Sequence, residues 1–165
     1  MSNTYLTRNI AAGDKRTGTF SFWLKRSANL NNTQYFFNAF GPGGFNDNSG
    51  NTDWMGFFID NNNRIGFTTW SGGIQLKTSR MLRDTSAWYH VVFRFEFGNS
   101  VSGTYASPSQ DSKYFNGYIA QAIYAQGQSY EPTVFGSTNS DGIWVSNASP
   151  SVTYGTNGFK LDFAN

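Results

Sequence analysis

Apolar and polar residues alternate in short runs along most of this chain, and the runs are bounded by Gly, Asn, Asp, Ser or Pro. GTFSFWLKR, Gly18 to Arg26, sets Phe20, Phe22 and Leu24 on one side and Ser21, Trp23 and Lys25 on the other, the period of two of a half-buried β-strand. QYFFNAFG (Gln34 to Gly41), WMGFFID (Trp54 to Asp60), RIGFTTW (Arg64 to Trp70) and IQLKTS (Ile74 to Ser79) continue the series. In WYHVVFRFEF, Tyr89, Val91, Phe93, Phe95 and Phe97 face one way and Trp88, His90, Val92, Arg94 and Glu96 the other. That pattern predicts a strand whose more polar side carries His90, the only histidine of the chain.

Turn signals separate these elements. Asn61, Asn62 and Asn63 lie between two alternating runs, and asparagine accepts the left-handed conformation a tight connection needs, so Trp54 to Trp70 reads as a β-hairpin. GPGGFNDNSGNTD, between Phe40 and Trp54, and the polar stretch from Gly98 to Lys113 read as surface loops. YFNGYIAQAIYAQ (Tyr114 to Gln126) predicts a strand bent or bulged at Gly117, EPTVFG a single helical turn with Pro132 in it, and GFKLDF (Gly158 to Phe163) a last strand with Phe159, Leu161 and Phe163 on one side. Short strands with no long helical period predict an all-β fold, an antiparallel β-sandwich or jelly roll in which two sheets share an aromatic core.

Composition agrees with the pattern. Aromatic residues make up 18% of the chain and charged residues 13%, a balance that suits strands and turns better than helical bundles. A length of 165 residues fits one domain spanning 1–165. The net charge of +2 comes from scattered basic residues, loosely grouped at Lys15, Arg16, Lys25 and Arg26, which predicts a solvated surface and no nucleic-acid footprint. Cysteine is absent, so disulfides and thiolate zinc sites contribute nothing to stability. MSNTYLTRNI has no signal-peptide pattern and no run is long and apolar enough for a span, so the expectation is synthesis in the cytoplasm and no membrane partner.

The chemistry-bearing residues are few. A serine hydrolase would need His90 as base and a nucleophile on a strained turn, and no G-x-S-x-G stretch occurs. A glycosidase needs two carboxylates across the scissile bond. Of the two glutamates, Glu96 has Arg94 two residues away on the same strand face and is expected to pair with it, while Glu131 precedes Pro132 in a turn. The reading is therefore non-enzymatic. Asp47, Asn51 and Asp53 offer oxygen ligands for calcium, with an ordinary Asn- and Gly-rich turn as the alternative. Carbohydrate binding needs aromatic faces beside amide or carboxylate groups, and Trp54 and Trp70 at the hairpin ends, with Asn48 and Asp53, are the candidates. Burial of both indoles between sheets or against a neighbouring subunit is the alternative.

Several stretches together carry a resemblance: YLTR at Tyr5, GTFSFWLKRS at Gly18, RMLRDTSAWYHVV at Arg80, YFNGYIAQAIYAQGQSYEPTVFG at Tyr114, GIWV at Gly142 and YGTNGFKLDF at Tyr154. In this order they resemble the concanavalin A-like, laminin-G-type lectin/glucanase domains found in structural and fibre proteins of marine bacteriophages. The resemblance implies that His90 belongs to a strand signature that marks the fold. It also implies a non-enzymatic structural protein on the virion exterior, as capsid decoration or fibre component, with other virion proteins as partners; the alternative is a receptor-binding lectin module for host surface polysaccharide. Because Tyr5 follows so soon after Met1, with no room for an anchoring domain, decoration is the expected role. The interval from Phe97 to Lys113 is shorter than in such domains, so strands are expected to be missing, leaving an open edge for a homo-oligomer, with a trimer favoured.

Overall fold

The computed structural model describes residues 14, 16–29, 31–40, 54–69, 75–96 and 115–163. Among them the regular structure is β, with one 3-10 turn (Pro132–Val134) and no α-helix. The strands are β1 (Thr17–Arg26), β2 (Gln34–Phe40), β3 (Trp54–Ile59), β4 (Arg64–Thr69), β5 (Gln75–Met81), β6 (Tyr89–Glu96), β7 (Gly117–Gln126), β8 (Gly136–Thr138), β9 (Trp144–Ser146) and β10 (Phe159–Leu161). They form a four-stranded sheet in the order β10-β7-β1-β6, a second in the order β2-β3-β4-β5, and the small β8-β9 pair. The described residues divide into two compact units, one holding 26–29, 31–40, 54–69, 75–87 and 115–117, the other 14, 16–25, 88–96 and 118–163.

In the second unit β1 runs antiparallel to β6, with Phe20 opposite Phe93, Phe22 opposite Val91 and Trp23 opposite His90. The alternation read from the sequence is thus realised as two faces. On the aromatic face Phe20 stacks on Tyr124 of β7 (ring centroids 4.3 Å) and lies 6.1 Å from Phe95, while Tyr124 also meets Phe159 of β10. Phe20, Phe22, Leu24, Phe95 and Tyr124 are buried, each such side chain contributing about 1.5–3 kcal/mol. On the other face Thr19, Ser21, Trp23, His90, Val92 and Arg94 lie in cross-strand rows.

The β1–β7 register changes along its length. Gly127 N–H donates to Thr17 O (2.8 Å) at one end and Ser27 N–H to Asn116 O (3.1 Å) at the other. From 17 to 27 there are ten steps along one chain segment, and from 116 to 127 eleven along the other, so β7 contains one extra residue. Gln121, with φ 47°, marks the bulge. The bulge is therefore not at Gly117, as the sequence predicts, because Gly117 opens the strand. The last strand is likewise shorter than expected: β10 stops at Leu161, and Phe163 has φ 56° and is exposed.

The first unit is ordered around the β3–β4 hairpin. Ile59 pairs with Ile65, Phe57 with Phe67 and Phe58 with Gly66, and the three-asparagine connection closes through Asp60 N–H to Arg64 O (2.9 Å) with Asn63 at φ 64°. This is the asparagine-rich tight turn expected of the sequence. Phe36, Phe37, Phe57 and Phe67 form one ring cluster, in which Phe57 and Phe67 lie 5.1 Å apart. Buried Arg26 gives its Nη1 to Leu82 O (3.0 Å), Asn29 Oδ1 (2.7 Å) and Asn63 Oδ1, tying the turn to the segment before β6.

Asp60 secures the same turn. Its Oδ1 accepts the N–H groups of Asn62 and Arg64 (2.9 Å each), and its Oδ2 lies 3.2 Å from Arg64 Nε and 3.8 Å from Lys77 Nζ. Burial would raise its pKa, but the backbone donors of Arg64 and Asn62 and the charges of Arg64 and Lys77 together hold the carboxyl below its ordinary value. Asp60→Ala is expected to lower stability by about 1–2 kcal/mol in urea unfolding at neutral pH. Unchanged stability would mean that water replaces these contacts without cost.

Candidate functional site

The polar face of the β10-β7-β1-β6 sheet is where the described chemistry-bearing side chains collect. The chain after β7 folds back over it. Thr19 Oγ1 donates to Gln128 O and accepts from Tyr130 N–H (2.9 Å each), Lys160 Nζ donates to Ala148 O (2.6 Å), and Arg94 pairs with Glu131. Phe135, buried and edge-on to Tyr130 (6.2 Å, 90°), and Trp144 are among the apolar residues of this covering segment. The Pro132 turn expected from the sequence forms here, whereas the β8–β9 pair was not anticipated.

His90 lies beneath that cover. Its ring stacks on Trp23 (4.8 Å, 13°), and Trp144 lies nearly coplanar with it (22°), edge to edge, with Nε1–H donating to His90 Nδ1 at 2.9 Å. An indole N–H only donates, so Nδ1 must be the unprotonated nitrogen. The proton of the neutral ring is therefore on Nε2, which donates to Ser21 Oγ at 2.9 Å. This is the reverse of what a nucleophilic serine requires, where the ring nitrogen accepts the hydroxyl proton. Burial pushes the His90 pKa down to about 4, keeping the ring neutral at pH 7.

The glutamates are placed differently from the expectation. Arg94 Nη1 meets Glu131 Oε1, not Glu96. Arg94 is opposite Thr19, and Thr19 anchors the segment containing Tyr130, so the turn carrying Glu131 is delivered to the arginine while Glu96 stays exposed at the strand end. The pair is exposed on both sides and contributes at most about 1 kcal/mol.

Of the residues proposed for carbohydrate or calcium, Trp54 is seen as the first backbone position of β3, opposite Phe40. Asp47, Asn48, Asn51, Asp53 and Trp70 lie outside the described residues. Among the described residues no group of three or more His, Asp or Glu side chains is gathered to hold a metal, and no helix is long and apolar enough to cross a membrane. Two exposed aromatics that the site reading passed over stand on the polar-face side of this unit: Trp88, 45% exposed, just before β6, and Tyr118, 62% exposed, in β7. Both lie in strand-like stretches, RMLRDTSAWYHVV and YFNGYIAQAIYAQ, whose alternation gives no local signal that separates them from core aromatics.

A family model described as the concanavalin A-like lectin/glucanases superfamily, of laminin-G type, matches residues 2–106. The chain belongs to that superfamily. The all-β structure and antiparallel sheets are those expected of a concanavalin A-like β-sandwich. No curated protein and no solved structure matches the chain significantly. The match spans β1 to β6, whereas β7 and β10, which complete the β1-containing sheet, fall beyond it. Superfamily membership points to carbohydrate binding as the class of function, and lectins and glucanases share the fold, so the chemistry must be argued from side chains.

Proposed function

We propose that this chain is a non-catalytic structural protein of a bacteriophage exterior, decorating the capsid or forming part of a fibre, whose lectin-type domain recognises a host surface polysaccharide. The observation that carries the non-catalytic reading is the hydrogen-bond direction at His90: Nε2–H donates to Ser21 and Nδ1 accepts from Trp144, so neither ring nitrogen stands ready as a base. Superfamily membership supports the recognition half. The proposed binding groups are Trp54, Trp70, Asn48 and Asp53, with calcium held by Asp47, Asn51 and Asp53. The strands at the sheet edges among the described residues, β2, β5, β6 and β10, are the surfaces through which a homo-oligomer, a trimer in this proposal, would pair with further copies or other virion proteins.

The experiment is a panel of bacterial and algal polysaccharides presented to the purified protein with calcium and then with a chelator, together with its mass in solution. Saturable binding without product release, lost in Trp54→Ala or Trp70→Ala while the circular dichroism is unchanged, is the expected result. Polysaccharide turnover abolished by Glu131→Gln or Glu96→Gln would sink the non-catalytic reading. A folded oligomer that binds nothing on the panel would remove the recognition half and leave particle assembly.

A further inference from the structure

Among the described residues, the polar face of the β10-β7-β1-β6 sheet is not covered along its whole length, since Trp88 and Tyr118 stay exposed. The cover ends at Trp144, which is held over the Trp23–His90 row by its bond to His90 Nδ1. The next outward-facing row is fixed by the registers. Two residues inward from the Ser27–Asn116 bond, Tyr118 comes beside Lys25, and two residues on from the Trp23–His90 pair, Lys25 comes beside Trp88. Tyr118, Lys25 and Trp88 therefore form one row across three strands, with the two aromatic residues about 10 Å apart at two strand spacings. Tyr118 is 62% and Trp88 45% exposed, while Lys25 is partly exposed. Behind the row stands Trp23, itself clamped by His90.

We propose that this row is a binding platform for an acidic oligosaccharide, built from residues other than Trp54 and Trp70. The inference rests on the carbohydrate-binding reading and extends it to a particular ligand chemistry. The flat faces of pyranose rings are apolar C–H surfaces that lie well against Tyr and Trp, which combine large contact area with few rotatable bonds. The central ammonium selects the charge. Lys25 stands between the rings, and neither WYHVVF (88–93) nor GYIAQAIYAQ (117–126) contributes a carboxylate to oppose an anion there. A uronic acid carboxylate or a sugar sulfate over Lys25, with sugar rings to either side, satisfies all three side chains at once. The bulge at Gln121 has a part in this: without the extra residue the register of β7 would slip by one and Tyr118 would turn to the aromatic face.

Binding of an oligogalacturonate, a sulfated oligosaccharide and a neutral oligoglucoside is measured calorimetrically for wild type, Trp88→Ala, Tyr118→Ala, Lys25→Gln, Trp54→Ala and Trp70→Ala. None of the three side chains of the row is buried, so the first three variants are expected to fold as wild type does. The platform predicts that the acidic ligands bind more tightly than the neutral one and that Trp88→Ala and Tyr118→Ala each weaken them by roughly tenfold or more. Lys25→Gln should erase the preference for acid and most of the salt dependence. Binding lost only in Trp54→Ala and Trp70→Ala would overturn the platform while leaving the carbohydrate reading intact. No binding of any saccharide by wild type would overturn both. A change of mass in solution in Trp88→Ala or Tyr118→Ala, with saccharide affinity unchanged, would reassign the row as a contact between copies and overturn it as well.

Discussion

Gly158→Ala is expected to cost upwards of about 3 kcal/mol, enough to leave much of a marginally stable domain unfolded. A Cβ at this position would stand 2.6 Å from Tyr124 O, and closer still to Tyr154 O. Both are backbone atoms that cannot swing aside as a side-chain tip would. Tyr154 O is already engaged by Gln126 N–H (2.9 Å), and Gln126 Oε1 accepts from Asn157 N–H and Nδ2 (3.0 Å each). Asn157 and Gln126 are buried, so displacing the turn exposes or orphans several hydrogen-bonding groups together. The turn also starts β10, whose Phe159 pairs with Tyr124, and its failure would remove an outer strand from the sheet that supports His90. Gly142→Ala is the control. Gly142 has φ 76° but an added Cβ would meet nothing within 4 Å, so only left-handed strain of about 1–2 kcal/mol applies. Urea unfolding of both variants separates the two causes, and equal, mild losses would show that the turn around Gly158 yields.

The physical basis of the YGTNGFKLDF stretch is this turn. Gly155, at φ 71°, passes with its Cα so close to Gln126 that a Cβ would lie 2.5 Å from the carbonyl oxygen. The requirement for glycine and asparagine at these positions therefore comes from a partner some thirty residues earlier, which local pattern does not reveal. The strands were legible because alternation is a property of each strand by itself: β1 to β6 begin and end within about two residues of the runs that predicted them. The β8–β9 pair was not, since GST and WVS are three residues each. Its inward residue, Trp144, has a partner in His90, fifty-four residues earlier. GIWV does alternate, with Ile143 and Val145 exposed to either side of that indole, but so short a pattern has no weight until the partner surface is known. The Gln121 bulge was missed for a related reason. Glycine is the usual mark of an irregular strand, and here the left-handed residue is a glutamine whose place follows from hydrogen bonds at both strand ends.

Acidification is expected to release the cover from the polar face of this sheet before the acidic side chains are fully titrated. The His90 pKa is lowered from 6.5 to about 4, with burial as the cause. A histidine depressed in the folded state binds fewer protons there than in the unfolded chain at any pH between the two values, so stability rises with pH across that window. Its contribution is complete above about 6.5 and is lost as pH falls toward 4. The structural reason is the Trp144 bond. Protonated Nδ1 would present N–H to the indole N–H at 2.9 Å, donor against donor, and the charged side chains flanking it on the same face, Lys25 one row away and Arg94 two rows away, are both cationic. Trp144 has no alternative but to leave, taking with it the strand that carries it. Comparing unfolding free energies at pH 7.5 and pH 4.5 for wild type and His90→Gln isolates the term, because the carboxylates, Asp60 among them, titrate alike in both proteins. Wild type should lose distinctly more stability than the variant on acidification, with a change in tryptophan fluorescence that the variant lacks. Parallel losses in the two proteins would mean that the imidazole is hydrated in solution and that the Trp144 contact does not govern the cover.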